Sequence, residues 1–534
     1  MTNSLCAIAP SGSLQSSLIL LRANTSVRES PDRFARALGA ALPYGNGLLA
    51  AVAASAARYP RAVAVATIDH RATYRQLWRG STALARGLSD RGVGPKDRVG
   101  ILYRNSPMFV YALLGAAKLG VDIVLLNTAM GAAQLAEVIV DEKLTTVLHD
   151  NEFGAVLSPT DCVRTVDSTQ MRAMMDSHSR AWLAPPRRQS RLVILTSGTT
   201  GRPKGATRSS SSSGVDLVAG LLSQVPYRLR DTTVIAAPFF HGWGLGNMLV
   251  GLGLSATVLT AAEFDAAHTL SLVSEHKARG LVVVPTMLQR ICALSPTHLA
   301  SADTDNLRII ASSGSALPGR LVTEVLDRFG PVLYNVYGST EVAVATIAAP
   351  ADLHRAPTTA GRRARGVRVE TLDDDGAPVG GGEVGRIFVA STSRFEGYTN
   401  GRSKEVVNGL MSTGDLGYFD EHDRLFVVGR EDDMIVSGGE NVYPSEIEEL
   451  LNNDERIAEA AVVGVDDDRF GQALKAVIVV APHQHVDEEE LKELIGHRLA
   501  RFKVPRTFEF TDALPRNAAG KILRRQLIEP GARE

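Results

Sequence analysis

Between about residues 48 and 285, short β-branched runs alternate with stretches of helical periodicity, and no other feature constrains the fold of this chain as much. Runs at 63–68, 98–103, 121–126, 145–148, 192–195, 233–236, 256–259 and 281–284 read as strands, and helices at 74–91 and 109–119 fall between several of them. Strands alternating with helices build mainly parallel sheets covered on both faces. At 534 residues the chain exceeds one ordinary core, so two to four domains or subdomains are expected. The segment 367–428 breaks the alternation, with short strands and turns at 373–376 and 380–382, and reads as a small β-rich subdomain. After Gly429 a helix at 446–452, strands at 460–465 and 473–480 and a charged helix at 486–500 suggest a separate α+β domain of about 100 residues.

Charge and cysteine usage exclude several function classes. Charged residues make up 22% and the formal net charge is −1, so there is no global basic field to attract nucleic acid. Cys6, Cys162 and Cys292 are too few and too scattered for a disulfide framework or a metal cluster, which favours a reducing compartment. Residues 1–30 hold one short apolar stretch (17–21) with no basic region before it, and read as a loosely ordered extension rather than a signal peptide. The most membrane-like run, 108–126, is interrupted by Lys118 and Asp122, so a buried helix at 107–119 followed by a strand is the better reading and no membrane span is expected. The serine tract 209–213 reads as a loop.

The segment 195–205, Leu-Thr-Ser-Gly-Thr-Thr-Gly-Arg-Pro-Lys-Gly, follows an apolar strand directly. Its glycines allow tight turning, while the hydroxyls of Thr196, Ser197, Thr199 and Thr200 and the ammonium of Lys204 can donate to phosphate oxygens. Pro203 and Gly205 flank the lysine where a Walker loop needs Gly and Ser or Thr, so this is a different phosphate loop. Gly242-Trp243-Gly244-Leu245-Gly246 lacks the spacing of a dinucleotide fingerprint and is rejected as a nicotinamide site.

Taken with further motifs in order from about Leu48 to Arg525, that loop strongly resembles the adenylate-forming superfamily of acyl-CoA synthetases, peptide-synthetase adenylation domains and luciferases. The resemblance implies a nucleotide site built from Thr196, Ser197, Gly198, Thr199, Thr200, Gly201 and Lys204, from the loop of Gly314, Ser315 and Ala316, and from Asn335 and the run Tyr337-Gly338-Ser339-Thr340-Glu341. In it Tyr337 lies against adenine, Thr340 meets the α-phosphate and Glu341 holds Mg²⁺, a hard carboxylate ligand for a hard cation. Asp415 in Thr413-Gly414-Asp415 resembles the ribose acceptor, and Arg430 adds a cationic contact. Asp432 matches the family's hinge, dividing a large N-terminal domain (31–431) from a mobile C-terminal domain (432–534). Ser437, Gly438 and Gly439 would line the pantetheine path of coenzyme A. His241, Trp243 and Gly244 would line the acyl pocket, with Trp243 as a gate. Lys521, in a C-terminal lysine motif where Asn517 replaces the usual Thr, is the expected catalytic cation.

These residues imply ATP-dependent activation of a carboxylic acid, a fatty acid by preference, with ATP and Mg²⁺ as cofactors and coenzyme A as acceptor. Lys521, Thr340, Glu341 and His241 would act at the reacting centre. Three alternatives stay open: an acyl-AMP ligase serving a carrier protein, an aryl or short-chain acid ligase, and an ATP- or lipid-binding pseudoenzyme. The resemblance favours a cytoplasmic location. It leaves open peripheral contact with a bilayer, into which fatty acids partition, and the oligomeric state.

Overall fold

The computed structural model describes residues 31–45, 47–157, 163–197, 203–208, 220–391, 395–437, 440–467, 471–517 and 520–528. The expected N-terminal extension, the serine tract and, among the site residues, Gly198, Thr199, Thr200, Gly201, Gly438 and Gly439 lie outside them.

Two large sheets carry the N-terminal part. In the first, six strands run parallel in the order Leu333–Ser339, Ile309–Ser312, Gly280–Val283, Thr232–Ile235, Thr257–Leu259 and Val63–Ala66. In the second, Leu192–Ser197, Asp122–Leu125, Arg98–Leu102, Thr146–His149 and Arg164–Asp167 run parallel, and Pro203–Arg208 turns back antiparallel on Leu192–Ser197. A third sheet, antiparallel, spans Arg368–Leu372 to Leu425–Arg430. After the short turn Glu431–Asp433 the chain enters a fourth, whose long hairpin Ile457–Asp467 and Gly471–Val480 is backed by the helices Pro444–Asn452 and Glu488–Arg498. This is the α/β architecture with a smaller C-terminal α+β part that the alternation implies, and each of the eight expected N-terminal strands is present with its ends displaced by no more than two residues.

The helix Pro107–Leu119 shows why the membrane-like run is a core element. Ser106 accepts the Phe109 N–H at its start, Pro107 occupies the first turn, and Gly120 ends it at φ 70°. Lys118 is buried, yet its ammonium donates to Trp78 O (2.6 Å), Ser81 Oγ (2.9 Å) and Thr82 Oγ1 (2.8 Å) and lies 3.7 Å from the Trp78 ring centre. Asp122 is buried between Arg188 and Arg191, which hold its carboxyl below the usual range against the opposing effect of burial. The two charges that interrupt the run are thus satisfied inside the protein. Among the described residues no helix is long and apolar enough to cross a membrane.

This topology sets the site. The parallel strands Thr232–Ile235, Gly280–Val283, Ile309–Ser312 and Leu333–Ser339 end, at their carboxyl termini, in the segments that carry His241, Thr286, Gly314 and Glu341. Ligands of open α/β sheets collect in that crevice.

Candidate active site

The hairpin Leu333–Ser339 and Ala343–Ala348 delivers the second nucleotide motif. Its register shifts at Gly338, where a Cβ would stand 1.7 Å from the Ala343 carbonyl oxygen, so only glycine fits. At the tip, Ser339 Oγ donates to Glu341 Oε2 (2.8 Å) and accepts the Glu341 N–H (3.2 Å), while Tyr398 Oη donates to Glu341 Oε1 (2.7 Å). Burial opposes ionisation of Glu341, but these bonds more than offset it, and its carboxyl sits below the ordinary range. Glu341 is therefore a preformed anion.

Tyr337 donates to Asp415 Oδ2 (2.6 Å), and the Asp415 N–H is held by Thr413 Oγ1 (3.1 Å) across Gly414 at φ 80°. Asp415 and Arg430 face each other across paired strands, and Arg430 also binds Asp432 (2.8 Å). Burial raises the Asp415 carboxyl, against the Tyr337 bond and the charges of Arg430, Lys521 and Lys404.

Lys521 belongs to the C-terminal part yet reaches this centre. Asn517 Oδ1 accepts the Lys521 N–H (2.9 Å), and the Asn517 N–H donates to Lys521 O (2.9 Å), so asparagine closes the turn by itself. Gly520, at φ 78°, packs where a Cβ would lie 2.6 Å from Thr286 Oγ1. Burial and then Arg430 push the Lys521 ammonium below the ordinary lysine value, while Asp415 and Glu341 hold it up. His241 is pushed down to about 4 by burial and then by Lys521, so it is a neutral imidazole, and its Nε2 has no hydrogen-bond partner among the described residues.

All these groups line one cavity of about 2340 Å³. Lys204, Gly314, Ser315, Ala316, Asn335, Tyr337, Gly338, Ser339, Thr340, Glu341, Asp415, Arg430, Asp432 and Lys521 form its polar side, and Asn335 is fixed by donating to Thr359 O (3.2 Å). Thr196 and Ser197 end the strand Leu192–Ser197, in register with Lys204 and Pro203. Ser437 does not line this cavity. Trp243 does, and its indole N–H donates to Val283 O (2.9 Å), which makes it an anchored wall in this arrangement rather than a free gate. Gly244, the third residue expected at the acyl pocket, is placed differently from Trp243. It does not line the cavity, because it packs on backbone, where a Cβ would stand 2.2 Å from Pro238 O. Its role is close helix-to-loop approach.

Tyr398 and Lys404 are among the lining residues that the sequence did not single out. Tyr398 holds Glu341, and Lys404 lies beside Gly414. A Gly-Tyr pair and a lysine nine residues before the ribose motif carry no chemical signature of their own. Among the described residues no cluster of three or more His, Cys, Asp or Glu could cage a metal. One preformed carboxylate suits Mg²⁺, which keeps waters and takes its other ligands from substrate phosphates.

Residues 52–399 match the family described as AMP-binding enzyme, and residues 446–521 match the AMP-binding enzyme C-terminal domain. A fatty acid–acyl-carrier-protein ligase of Streptomyces coeruleorubidus is 32% identical, over 85% of this chain and 91% of its own. An indoleacetate–CoA ligase of Aromatoleum aromaticum is 33% identical, over 85% of this chain and 93% of its own. The solved o-succinylbenzoate CoA synthetase of Bacillus subtilis, in complex with its acyl-adenylate intermediate, is similar with a TM-score of 0.80 at 28% identity, covering 91% of this chain and 98% of that one.

Proposed function

The chain belongs to the AMP-binding enzyme family, and from that premise we propose that it activates a fatty acid with ATP and passes the acyl group to coenzyme A. The observation that carries the choice of acid is the apolar lining that the helices Leu48–Arg58 and Gly242–Gly253 give to the cavity. Ala50, Ala51, Ala54, Gly246, Leu249 and Gly253 line it. The lining positions run the length of the second helix, about 16 Å at 1.5 Å per residue, which exceeds one aromatic ring and suits an extended aliphatic chain.

In the reaction, a carboxylate oxygen of the acid attacks the α-phosphorus and the bond to the bridging oxygen of pyrophosphate breaks. The acid's leaving group thereby changes from oxide to AMP. In this reading Lys521 sits where carboxylate and α-phosphate charges meet, and its buried ammonium offsets the charge that develops there. Neutral His241 brings no competing positive charge and offers a hydrogen bond to the acid's carboxyl group. Lys204 faces the β- and γ-phosphates, and Asp415 accepts from the ribose hydroxyls. Glu341 would hold Mg²⁺, which when bound neutralises phosphate charge. In the second step a thiolate attacks the acyl carbon and the bond to AMP breaks. The division at Asp432, between 31–431 and 432–534, would let the C-terminal part withdraw Lys521 and present Ser437, Gly438 and Gly439 to the thiol.

Two relatives point to other outcomes, one named for a carrier-protein acceptor and one for an aryl acid. Incubation with ATP, Mg²⁺, coenzyme A and a mixture of aliphatic and aromatic acids, read by mass spectrometry, separates them. Fatty acyl-CoA is the expected product. Aryl-CoA alone overturns the choice of acid, and adenylate without thioester overturns the acceptor.

This lining also yields a sharper expectation. A Cβ at Gly246 would meet nothing within 4 Å, and Gly246 lines the cavity, so the side chain of Gly246→Leu should project into it. It should lower kcat/KM for long-chain acids at least tenfold and spare short ones. Leucine in place of glycine should raise helix stability by roughly 0.5–1 kcal/mol, so the melting temperature should not fall. An unchanged chain-length profile removes this lining from acyl binding.

A further inference from the structure

We propose that Lys404 is a further nucleotide-binding residue, whose ammonium seats the α-phosphate of the bound nucleotide together with the Arg430 guanidinium. Lys404 lies between the strands Phe395–Tyr398 and Val406–Val407, half-buried, and lines the cavity. Its neighbour Glu405 anchors the segment, accepting the Ser412 N–H (2.9 Å) through its carbonyl and pairing with Arg386 through its carboxylate. This fixes the backbone that presents the lysine.

The ammonium of Lys404 makes one long bond, to Thr413 O (3.4 Å), and among the described residues no carboxylate lies within 4.0 Å of it. A lysine has three donors, so most of its capacity is unspent. The glycine beside it shows where that capacity is directed. A Cβ at Gly414 would lie 3.2 Å from Lys404 Nζ and 3.3 Å from Arg430 Nη2, so the two cations converge on one point. Arg430 is already bonded to Asp432 and close to Asp415, whereas Lys404 acts on Asp415 and Glu341 only from beyond ion-pair distance. Converging like charges repel unless an anion occupies the space between them.

The position selects which phosphate. Gly414 immediately precedes Asp415, the proposed ribose acceptor, and of the three phosphates of ATP the α-phosphate is the one joined to that ribose, so it is the one these two cations are best placed to meet. The charge of Lys404 acts on both Asp415 and Glu341, the carboxylates proposed for the sugar and for the metal. Converging cations matched to phosphate oxygens make strong, charge-assisted bonds.

This inference rests on ATP binding in the cavity and not on the identity of the acid. The test measures binding of adenosine, AMP and ATP to the full-length protein by calorimetry, in the wild type and in Lys404→Met and Lys404→Arg. Methionine keeps the aliphatic stem and removes the charge. The expected result is about a tenfold loss of AMP and ATP affinity in Lys404→Met, equal for the two, with adenosine unchanged and Lys404→Arg partly restored. Unchanged AMP affinity, whether or not ATP weakens, overturns the α-phosphate assignment. Equal loss for adenosine overturns it as well, since that is the mark of a merely structural role. A wild type that binds none of the three removes the nucleotide reading itself, a different failure from that of Lys404.

Discussion

Replacing Lys521 by alanine is expected to slow acyl-adenylate formation about a thousandfold, roughly 4 kcal/mol, while nucleotide binding survives. The ammonium is buried beside Asp415, Glu341 and Arg430, and its charge is felt as far as His241. The turn that presents it is held by Asn517 and by Gly520 against Thr286, through backbone atoms that alanine leaves in place. Loss of activity with an unchanged melting temperature is therefore the expected pair of results. Transfer from a supplied acyl-adenylate to coenzyme A should proceed in the variant, because the proposed thiol step does not use this cation. Equal losses in both half-reactions would mean that the residue acts on the fold and not on the chemistry.

The same lysine sets a pH dependence whose sign is fixed. In its proposed role Lys521 must be protonated to offset phosphate charge, and burial depresses its pKa below that of an ordinary lysine. In kcat/KM for adenylation, which reports the free enzyme, activity should fall as pH rises through that depressed value, earlier than the ordinary lysine pKa of about 10.4. Lys521→Arg should move the alkaline limb upward, since guanidinium keeps its proton. His241, down at about 4, contributes no limb near neutrality.

Much of this candidate site is legible in the sequence, because its groups sit in short motifs with fixed spacing. Tyr337, Glu341, Asp415 and Lys521 are far apart in sequence and line one cavity. The eight N-terminal strands were legible because they are continuous β-branched runs buried on both faces. The strands Ile309–Ser312, Leu333–Ser339 and Ala343–Ala348 carry no such signal, since hydroxyls, alanine and the half-exposed run Tyr337–Ser339 break the apolar pattern that the site itself displaces. Gly244 is ambiguous in sequence for a related reason. A glycine within an aromatic motif can mean room for a ligand or room for backbone, and the 2.2 Å approach of a Cβ to Pro238 O shows the second. Tyr398 was hidden because its function is a single hydrogen bond to a residue 57 positions away.

That hydrogen bond gives the second large effect. Glu341→Gln should lower the adenylation kcat about a hundredfold or more, roughly 3 kcal/mol, and weaken divalent-cation binding in the presence of nucleotide. The native carboxylate is kept ionised by Tyr398 and Ser339 despite burial, so it can ligate a cation at any pH above the usual carboxylate range. The amide preserves size; its oxygen can accept from Ser339 while its N–H donates to the Tyr398 oxygen, so the hairpin tip should stay in place and the fold should be spared. What is lost is the charge, and a neutral amide oxygen is the poorer partner for a hard divalent ion. Titration of Mn²⁺ with the protein and a nonhydrolysable ATP analogue, followed by electron paramagnetic resonance, reads this without turnover. A higher dissociation constant in the variant, with nucleotide affinity in the absence of metal unchanged, places Glu341 on the cation. Equal Mn²⁺ affinity in the two proteins would leave Glu341 as a structural brace of the hairpin and would shift the metal's ligands to the phosphates and water alone.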